Sequence, residues 1–221
     1  MRTRISIVGV GGIGSNLVCG LAPAIACEGL LESLGGVELA LIDSDTVEAR
    51  NVMMGQRFGH DDVGESKVCS VSRSISGFAG PMLRVESLER DVRSEGDIPG
   101  SDIVVVCVDN MAARSVVHNS GAHWLDLRCS GDAYIALDHR VKPSEVTSLT
   151  GGSGARASCQ LEGWESGFLQ SGYLAAAAHG CQWVVSELRM RAGLPSTLPM
   201  PRSSSITFGM LGKLPVMEAV H

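Results

Sequence analysis

The sequence is poor in aromatic and in charged residues, which make up 4% and 19% of its 221 positions. A protein that coats nucleic acid is a poor interpretation, because such proteins present clustered cationic groups and this chain has a net charge of −6. Long apolar runs are missing too, since none reaches the ~18 uninterrupted residues that span a bilayer. The first residues pass directly into a strand pattern without the leader of a secreted protein. We therefore expect a cytoplasmic protein that binds neither nucleic acid nor membrane.

Closely spaced cysteine pairs are also lacking, although the chain has seven cysteines. A structural zinc site needs soft ligands at short spacing, so that four thiolates can close a tetrahedron. We expect no zinc. Scattered thiols of this kind are typical of reduced, small, buried residues in a cytoplasmic protein. They are Cys19, Cys27, Cys69, Cys107, Cys129, Cys159 and Cys181.

Hydrophobic residues are plentiful, at 44% of the chain, and the length suits one domain with a sizeable core. Short β-branched runs alternate with segments that are apolar at helical spacing. This alternation predicts an α/β fold with a doubly wound, mostly parallel, Rossmann-like sheet and helices on both faces. We predict strands at residues 5–10, 37–42, 83–88, 103–108, 124–128 and 134–137, and helices at residues 15–32, 65–76, 111–119 and 173–191.

Two parts of the chain differ in composition. Residues 1–145 hold the alternating strands and helices. Residues 146–221 begin with a Gly/Ser-rich crossover loop at 147–158 and continue into the last predicted helix. A Pro/Ser-rich linker at 195–205 then precedes a short strand-like end. We expect the second part to pack on the first part within one domain.

A glycine-rich motif follows the first predicted strand and begins the first predicted helix. Gly9, Gly11, Gly12 and Gly14 allow a tight turn and close approach of a phosphate to the backbone. The helix N-terminus supplies free N–H groups and the positive end of the helix dipole. The alternative is a glycine-rich turn without a ligand. The motif predicts a nucleotide site but does not distinguish a nicotinamide cofactor from ATP.

Acidic residues stand at the ends of two further predicted strands. Asp43 ends the second strand, where a carboxylate can accept hydrogen bonds from both ribose hydroxyls of an adenosine. Asp109 follows the strand at 103–108. Each residue has the alternative role of capping the turn or helix that follows it. Because ligands of such sheets bind beyond the carboxyl ends of the strands, we expect the glycine motif and both carboxylates to share one crevice.

Four motifs in this order resemble the adenylation domain of the ubiquitin-activating, E1-like enzymes, the ThiF/MoeB/HesA-like family. The resemblance covers about residues 5–140. It implies an ATP- and Mg²⁺-dependent adenylyltransferase that activates the C-terminal carboxylate of a ubiquitin-like or sulfur-carrier protein and releases pyrophosphate. It also implies a homodimer, or a heterodimer with a related subunit. The motifs are G-x-G-G-x-G at 9–14, I-D-x-D-x-V-E-x-x-N at 42–51, D-V-G-x-x-K at 62–67, and C-V-D-N at 107–110 with Arg114.

The resemblance assigns roles to individual residues. Lys67 would neutralise phosphate charge, with an exposed helical lysine as the alternative. Asp109 would be a catalytic residue and the Mg²⁺ ligand, because Mg²⁺ prefers one or two carboxylates together with phosphate oxygens. Asn110 and Arg114 are expected mainly to shape the turn. The nucleotide-binding residues implied by the motifs are Gly9, Gly11, Gly12, Gly14, Asp43, Asp45, Asn51, Lys67, Asp109 and Asn110.

The chain lacks the arginine that this family places on the ATP phosphates. Met54 occupies that position, and a thioether cannot neutralise a phosphate. Arg57 is the predicted replacement, Arg50 is a second candidate, and a surface arginine is the alternative. The family also has an arginine before the first strand that reaches the partner's ATP, and only Arg2 or Arg4 could replace it here.

Three other residues of possible function lie outside these motifs. Cys159 follows the Gly/Ser-rich loop, where related enzymes carry a cysteine that forms a thioester or persulfide, and an ordinary cysteine is the alternative. Asp126 and Arg128 alternate onto one face of a predicted strand. We expect them to pair with each other, or alternatively to contact the tail of a carrier protein.

Three functions are consistent with these patterns. The first is an E1-like adenylyltransferase of minimal length. The second is a catalytically impaired relative that binds a nucleotide and serves as a scaffold or partner subunit, since the phosphate arginine is missing. The third, an NAD(P)-dependent oxidoreductase, is disfavoured because the chain has no separate substrate domain and the downstream motifs would be coincidental.

Overall fold

The computed structural model of the chain describes residues 2–26, 29–150, 170–194 and 200–207, so Cys159 lies outside the described residues. In this part the chain forms a single sheet flanked by α-helices. The strands are β1 (Thr3–Val8), β2 (Val37–Ile42), β3 (Leu83–Leu88), β4 (Ile103–Val106), β5 (His123–Ser130), β6 (Ala133–Asp138) and β7 (Ser203–Thr207). The helices are α1 (Gly12–Ile25), α2 (Leu30–Ser33), α3 (Ala49–Met53), α4 (Lys67–Ser74), α5 (Met111–His118), α6 (Pro143–Thr150) and α7 (Gly172–Arg191).

The strand order is β3-β2-β1-β4-β5-β6-β7. Strands β1 to β5 are parallel, β6 pairs antiparallel with β5, and β7 pairs antiparallel with β6. From β1 the chain forms β2 and then β3 on one side of β1, and it then crosses to β4 on the other side. This reversal between β1 and β4 is the topological switch point at which such sheets form a ligand crevice.

Alternate side chains of the central strands enter two separate cores. Ile5 and Ile7 of β1 pack with α1, α4 and α7 on one face of the sheet. Val104 and Val106 of β4 pack with Ala113 and other residues of α5 on the opposite face. Helices therefore cover both faces, and the predicted doubly wound, mostly parallel α/β fold is confirmed. None of the described helices is long and apolar enough to span a membrane.

The predicted ends of two strands are wrong. Strand β1 ends at Val8 instead of residue 10, because Gly9 has a φ of 89° and turns the chain out of the sheet. Strand β4 ends at Val106 instead of residue 108. The carbonyl of Val108 accepts a hydrogen bond from the side chain of Arg114, so it is not available to a neighbouring strand.

Two predicted helices are also shorter than expected. The single helix predicted at 15–32 is divided into α1 and α2, and Gly29, with a φ of 88°, immediately precedes α2. A left-handed residue cannot continue a right-handed helix. The helix predicted at 65–76 is α4, which begins at Lys67 because Ser66 forms a β-bridge with Thr46.

The C-terminal part contains more regular structure than expected. Helix α6 occupies residues that include the start of the loop predicted at 147–158, and β7 begins within the linker predicted at 195–205. Helix α7 packs on α1, β5 and β6. Gly180 allows this close approach, because a Cβ at this position would lie 2.3 Å from Leu17 Cδ1 and 2.8 Å from Leu127 Cδ1.

Candidate functional site

The N-terminus of α1 lies at the switch point, directly after the glycine-rich turn. Gly11 is the N-cap residue, no side chain caps the helix, and the first turn contains no acidic residue. The first N–H groups of a helix have no partner within the helix, and they carry the positive end of its dipole. A helix N-terminus of this kind, with glycines in its first turn, is suited to binding an anion.

Glycine occupies the positions of this turn for two different physical reasons. A Cβ on Gly14 would lie 1.9 Å from the carbonyl oxygen of Gly9, and a Cβ on Gly9 would lie 2.7 Å from Val108 Cγ1. These two positions require glycine for the fold itself. A Cβ on Gly11 would meet only Gln56 Oε1, at 4.0 Å. Gly11 therefore keeps a space open above the helix N-terminus that the fold does not need.

Asp43, at the end of β2, supports the glycine-rich turn. Its Oδ2 accepts a hydrogen bond of 2.7 Å from the Val10 N–H, and its Oδ1 accepts one of 2.9 Å from the Asp45 N–H. Burial raises the pKa of Asp43, while the positive charge of Lys67 opposes this shift. Each oxygen keeps a further lone pair, so the carboxylate can still accept hydrogen bonds from ribose hydroxyls.

Lys67, the first residue of α4, is buried beside this carboxylate. Its Nζ lies 2.8 Å from Asp45 Oδ2, and only 10% of the lysine side chain is exposed. The alternative of an exposed helical lysine is therefore wrong. The ammonium group of Lys67 thus interacts with the charges of two carboxylates, Asp43 and Asp45. A phosphate that binds here would compete with Asp45 for this ammonium group.

Asn51 has a structural role in the described residues. Its Oδ1 accepts a hydrogen bond of 2.8 Å from the Glu48 N–H at the start of α3, and the residue is buried. Arg50 extends into solvent and pairs with Glu48. Direct contact of Asn51 with a nucleotide stays a prediction.

Asp109 and Asn110 follow β4 on the same edge of the sheet and have different roles. Asn110 is the N-cap of α5, and its Oδ1 accepts a hydrogen bond of 2.9 Å from the Ala112 N–H. The alternative in which Asp109 caps this helix is therefore wrong. Asp109 is exposed, and no hydrogen bond or ion pair engages its side chain within the part of the chain that the structure describes.

A single exposed carboxylate suits Mg²⁺, which keeps several waters and takes one or two carboxylates together with substrate phosphates. Among the described residues there is no group of three or more acidic, histidine or cysteine side chains that could enclose a metal ion. The residues at the switch point therefore fit a metal held jointly with a phosphorylated ligand, with Asp109 as the protein ligand.

Arg57 lies beside α1. It is exposed, and with Cys19, Ser74 and other residues it lines a cavity of about 550 Å³ between α1, the end of α4 and the segment at 56–58. Cys19 is seven residues after the start of α1. At 1.5 Å per residue, the part of the cavity lined by Cys19 is about 10 Å along the helix from the glycine-rich turn. Gln56 lines the same cavity, and the backbone of Arg57 is beside Ser15 in the first turn of α1. A role of Arg57 at the phosphates stays a prediction.

Gln56 is a site residue that the sequence interpretation missed. Its Oε1 is buried without a hydrogen-bond partner in the described residues, and it is the atom that faces Gly11. The adjacent backbone is held by long-range contacts, since the Tyr173 hydroxyl donates to the Gly55 carbonyl at 3.0 Å and the Arg57 N–H donates to Ser15 Oγ at 3.4 Å. The sequence signal was available: a glutamine stands next to the position at which the family has one.

Arg2 and Arg4 are at the opposite edge of the sheet. Arg4 pairs with Glu38 at 2.6 Å, and Arg2 donates to the Pro81 carbonyl. Both flank the amino end of β1, whereas the glycine-rich turn follows its carboxyl end. Neither arginine can reach the crevice of its own chain.

Arg114, His118, Asp126 and Arg128 form a cluster beneath the β4–α5 loop, which we call the Asp126 cluster. Asp126 is completely buried and forms ion pairs with Arg114 and with Arg128, the latter at 2.6 Å. The predicted pairing of Asp126 with Arg128 is confirmed. Burial, followed by the charge of Arg128, lowers the pKa of Arg114 to about 9. Burial and the two arginines lower the pKa of His118 to about 4, so this histidine is neutral at pH 7.

Comparison with known proteins agrees with this geometry. Residues 1–133 match the model of the ThiF family. The chain is 33% identical over 162 residues to ubiquitin-like modifier-activating enzyme 5 of Oryza sativa subsp. japonica, which covers 64% of this chain and 36% of that protein. It is 34% identical over 124 residues to adenylyltransferase and sulfurtransferase MOCS3 of Dictyostelium discoideum, which covers 54% of this chain and 26% of that protein.

Solved structures with the same fold include E. coli MccB with ATP, at a TM-score of 0.62 and 18% identity over 98% of this chain and 66% of that chain. The structure of PaaA matches with a TM-score of 0.57 and 19% identity over 96% of this chain and 65% of that chain. The chain thus spans between about a quarter and two thirds of the length of these relatives.

Proposed function

The chain belongs to the ThiF family, and from this premise we propose that it is an ATP-dependent adenylyltransferase acting on the C-terminal carboxylate of a ubiquitin-like or sulfur-carrier protein. One observation carries the proposal. The uncapped N-terminus of α1, the carboxylate of Asp43 with the Lys67–Asp45 ion pair beside it, and the exposed carboxylate of Asp109 all lie at the carboxyl edge of the sheet, around the β1–β4 switch point. The names of the curated relatives, a modifier-activating enzyme and an adenylyltransferase, support the same reaction.

In this proposal the chain binds ATP through its backbone and two carboxylates. The ribose hydroxyls donate to the remaining lone pairs of Asp43, whose position is set by its bonds to Val10 and Asp45. The phosphates lie above Gly11 and accept hydrogen bonds from the first N–H groups of α1. Asp109 holds Mg²⁺, which when bound neutralises part of the negative charge on the phosphates.

The reaction joins the carboxylate to the nucleotide. A carboxylate oxygen of the carrier attacks the α-phosphorus, the bond from that phosphorus to the bridging oxygen breaks, and pyrophosphate leaves with its electron pair. The protein contributes positioning and charge neutralisation, since no proton has to be removed from the attacking carboxylate. The N–H groups of α1 and the ammonium of Lys67 supply fixed positive charge beside the phosphates.

ATP–pyrophosphate exchange in the presence of candidate carrier proteins tests this function. Asp109→Asn removes one charge at nearly constant shape, so we expect exchange to fall by about 10²–10³-fold while the melting temperature is retained. Glu95→Gln is the matched control, because it makes the same chemical change at another exposed acidic residue, in the segment between β3 and β4. Exchange by the Asp109→Asn protein at the wild-type rate would contradict the proposed role of this carboxylate.

The second candidate function is a nucleotide-binding scaffold or partner subunit. It is favoured by Met54, which stands where the family has its phosphate arginine. Binding of ATP without exchange in the presence of any carrier would support this function over the first.

The assembly is also a proposal. The family resemblance supports a homodimer, or a heterodimer with a related subunit, acting on its carrier protein in the cytoplasm. Light scattering of the purified chain, alone and with a candidate carrier, gives the mass of each complex directly. A monomer that stays monomeric at all concentrations would contradict the homodimer.

A further inference from the structure

The loop that carries Asp109 is fixed by one buried guanidinium. Arg114, with 6% of its side chain exposed, donates a hydrogen bond to the carbonyl of Val108, the residue immediately before Asp109. The same guanidinium lies 3.5 Å from the carbonyl of Leu127 in β5. Arg114 therefore connects the β4–α5 loop to the neighbouring strand across the protein interior.

The orientation of this guanidinium is set by Asp126. The carboxylate is completely buried and pairs with Arg114 from one side and with Arg128 from the other. His118 Nε2 lies 3.2 Å from its Oδ2. A planar guanidinium held by a carboxylate has its remaining N–H groups aimed in fixed directions, and here one of them meets the Val108 carbonyl.

Stability alone does not explain the Asp126 cluster. Buried ion pairs lose so much hydration that well-packed apolar residues in their place are often equally or more stabilising. The cluster also places two arginines against a single carboxylate. The cluster instead fixes the orientation of the Arg114 side chain. This side chain contacts the chain where it leaves β4 and enters the loop that carries Asp109.

We propose that Asp126 is a positioning residue: through Arg114 it holds the β4–α5 loop so that Asp109 stays at the crevice, ready to bind Mg²⁺ with the phosphates of a nucleotide. The proposal rests on the proposed function, which assigns Asp109 to the metal. Asn110 caps α5 with its own side chain, so Asp109 is not held by the helix and its place depends on the loop backbone.

The order of the loop can be measured without nucleotide or metal, by hydrogen exchange of the peptide at 107–114. We expect Asp126→Asn to increase exchange of this peptide by about tenfold or more, because Arg114 loses the carboxylate that orients it. Asp138→Asn is the matched control: Asp138 is also completely buried and paired with an arginine, Arg140. It follows Leu137, the β6 residue opposite Asp126, and therefore faces the other side of the sheet, where it accepts a hydrogen bond from Trp183 of α7. Equal exchange of this peptide in the two variants would overturn the proposal.

A second measurement uses ATP binding by calorimetry at a series of Mg²⁺ concentrations. Loss of a residue that orients a metal ligand typically costs 10–100-fold in metal affinity. We expect Asp126→Asn to raise the Mg²⁺ concentration for half-maximal ATP affinity by about this factor, while Asp138→Asn leaves it unchanged. An unchanged Mg²⁺ dependence in the folded Asp126→Asn protein would also overturn the proposal.

Arg114→Lys extends both tests if Asp126→Asn does not fold. It keeps a positive charge beside Asp126 but loses the planar fork that reaches the Val108 carbonyl. We expect the same faster exchange at 107–114 and the same increase in the Mg²⁺ concentration for half-maximal ATP affinity. Wild-type behaviour in both measurements would overturn the proposal. If the wild-type protein binds no ATP, the proposed function fails, and the exchange measurement still decides whether Asp126 positions the loop.

Discussion

Gly11 and Gly14 lie in one motif, but glycine is needed at the two positions for different reasons. A methyl group added at Gly14 should affect the stability of the fold, whereas one added at Gly11 should affect ligand binding. We expect Gly14→Ala to destabilise the protein by about 3 kcal/mol or more, because the new Cβ would lie 1.9 Å from the Gly9 carbonyl oxygen. Gly11→Ala should keep the fold and weaken ATP binding, since its Cβ enters only the space above α1. Urea unfolding and calorimetry measure the two effects, and equal loss of stability in both variants would contradict this distinction.

Arg57 is the residue on which the two candidate functions differ. If it supplies the charge that Met54 cannot, Arg57→Ala should lower pyrophosphate exchange by about 10²–10³-fold. Arg50→Ala is the control, because Arg50 is an exposed arginine that pairs with Glu48. If Arg57→Ala has no effect on an active wild-type enzyme, the charge comes from another residue or from a partner subunit.

His118 makes stability depend on pH. In the folded protein its pKa is lowered to about 4, whereas in the unfolded chain it titrates at its ordinary value of 6.5. Below pH 6.5 the unfolded state therefore binds a proton that the folded state does not, so stability falls as the pH is lowered toward 4. We expect this histidine to account for a loss of about 2 kcal/mol between pH 7 and pH 5.

His118→Gln keeps a hydrogen-bond donor toward Asp126 but cannot titrate. Urea unfolding at pH 7 and pH 5 should show a smaller loss of stability in this variant than in the wild type. The same loss in both proteins would mean that His118 is accessible to protons in the folded state.

At the scale of elements, the packing of α7 against α1 holds in place the helix whose N-terminus lies at the crevice. Gly180 lets α7 lie close to Leu17 of α1 and Leu127 of β5. We expect Gly180→Ala to destabilise the protein by about 1–3 kcal/mol through overpacking, even though alanine favours a helix. Gly20→Ala is the milder comparison, since its Cβ would meet only Cys181 Sγ, at 3.0 Å. A melting temperature of Gly180→Ala at or above that of the wild type would contradict this packing.

The same helix also reaches the segment above α1. Tyr173, near the start of α7, is buried, and its hydroxyl holds the Gly55 carbonyl next to Gln56. The position of the Gly55–Gln56 backbone thus depends on a helix more than a hundred residues away in the sequence.

At the scale of the whole molecule, ligand binding should raise stability selectively. Asp43, Lys67 and the uncapped α1 helix suit an adenosine with phosphates, so we expect ATP·Mg²⁺ to stabilise the protein and NADH not to. A free ATP concentration of ~100 times the Kd would add about 2.7 kcal/mol, which corresponds to a rise in melting temperature of about 5–10 °C. Stabilisation by NADH alone would instead favour an oxidoreductase.

The sequence by itself determined the fold class, the strand that precedes the glycine-rich turn and the order of the family motifs. These features depend on local patterns: β-branched runs, helical spacing and glycines where a turn must be tight. The family membership followed from the same motifs, because four short patterns in one order are specific even when one arginine is replaced.

Only the tertiary structure decided what the neighbours of each site residue are. It showed that Asn110 rather than Asp109 caps α5, that Lys67 is buried against Asp45, and that Asp126 forms an ion pair with Arg114. The Arg114 contacts, for example, depend on the strand order, which brings the Val108 carbonyl after β4 close to the Leu127 carbonyl of the adjacent β5. A local pattern specifies backbone shape, whereas burial and charge pairing arise from segments that are distant in the chain.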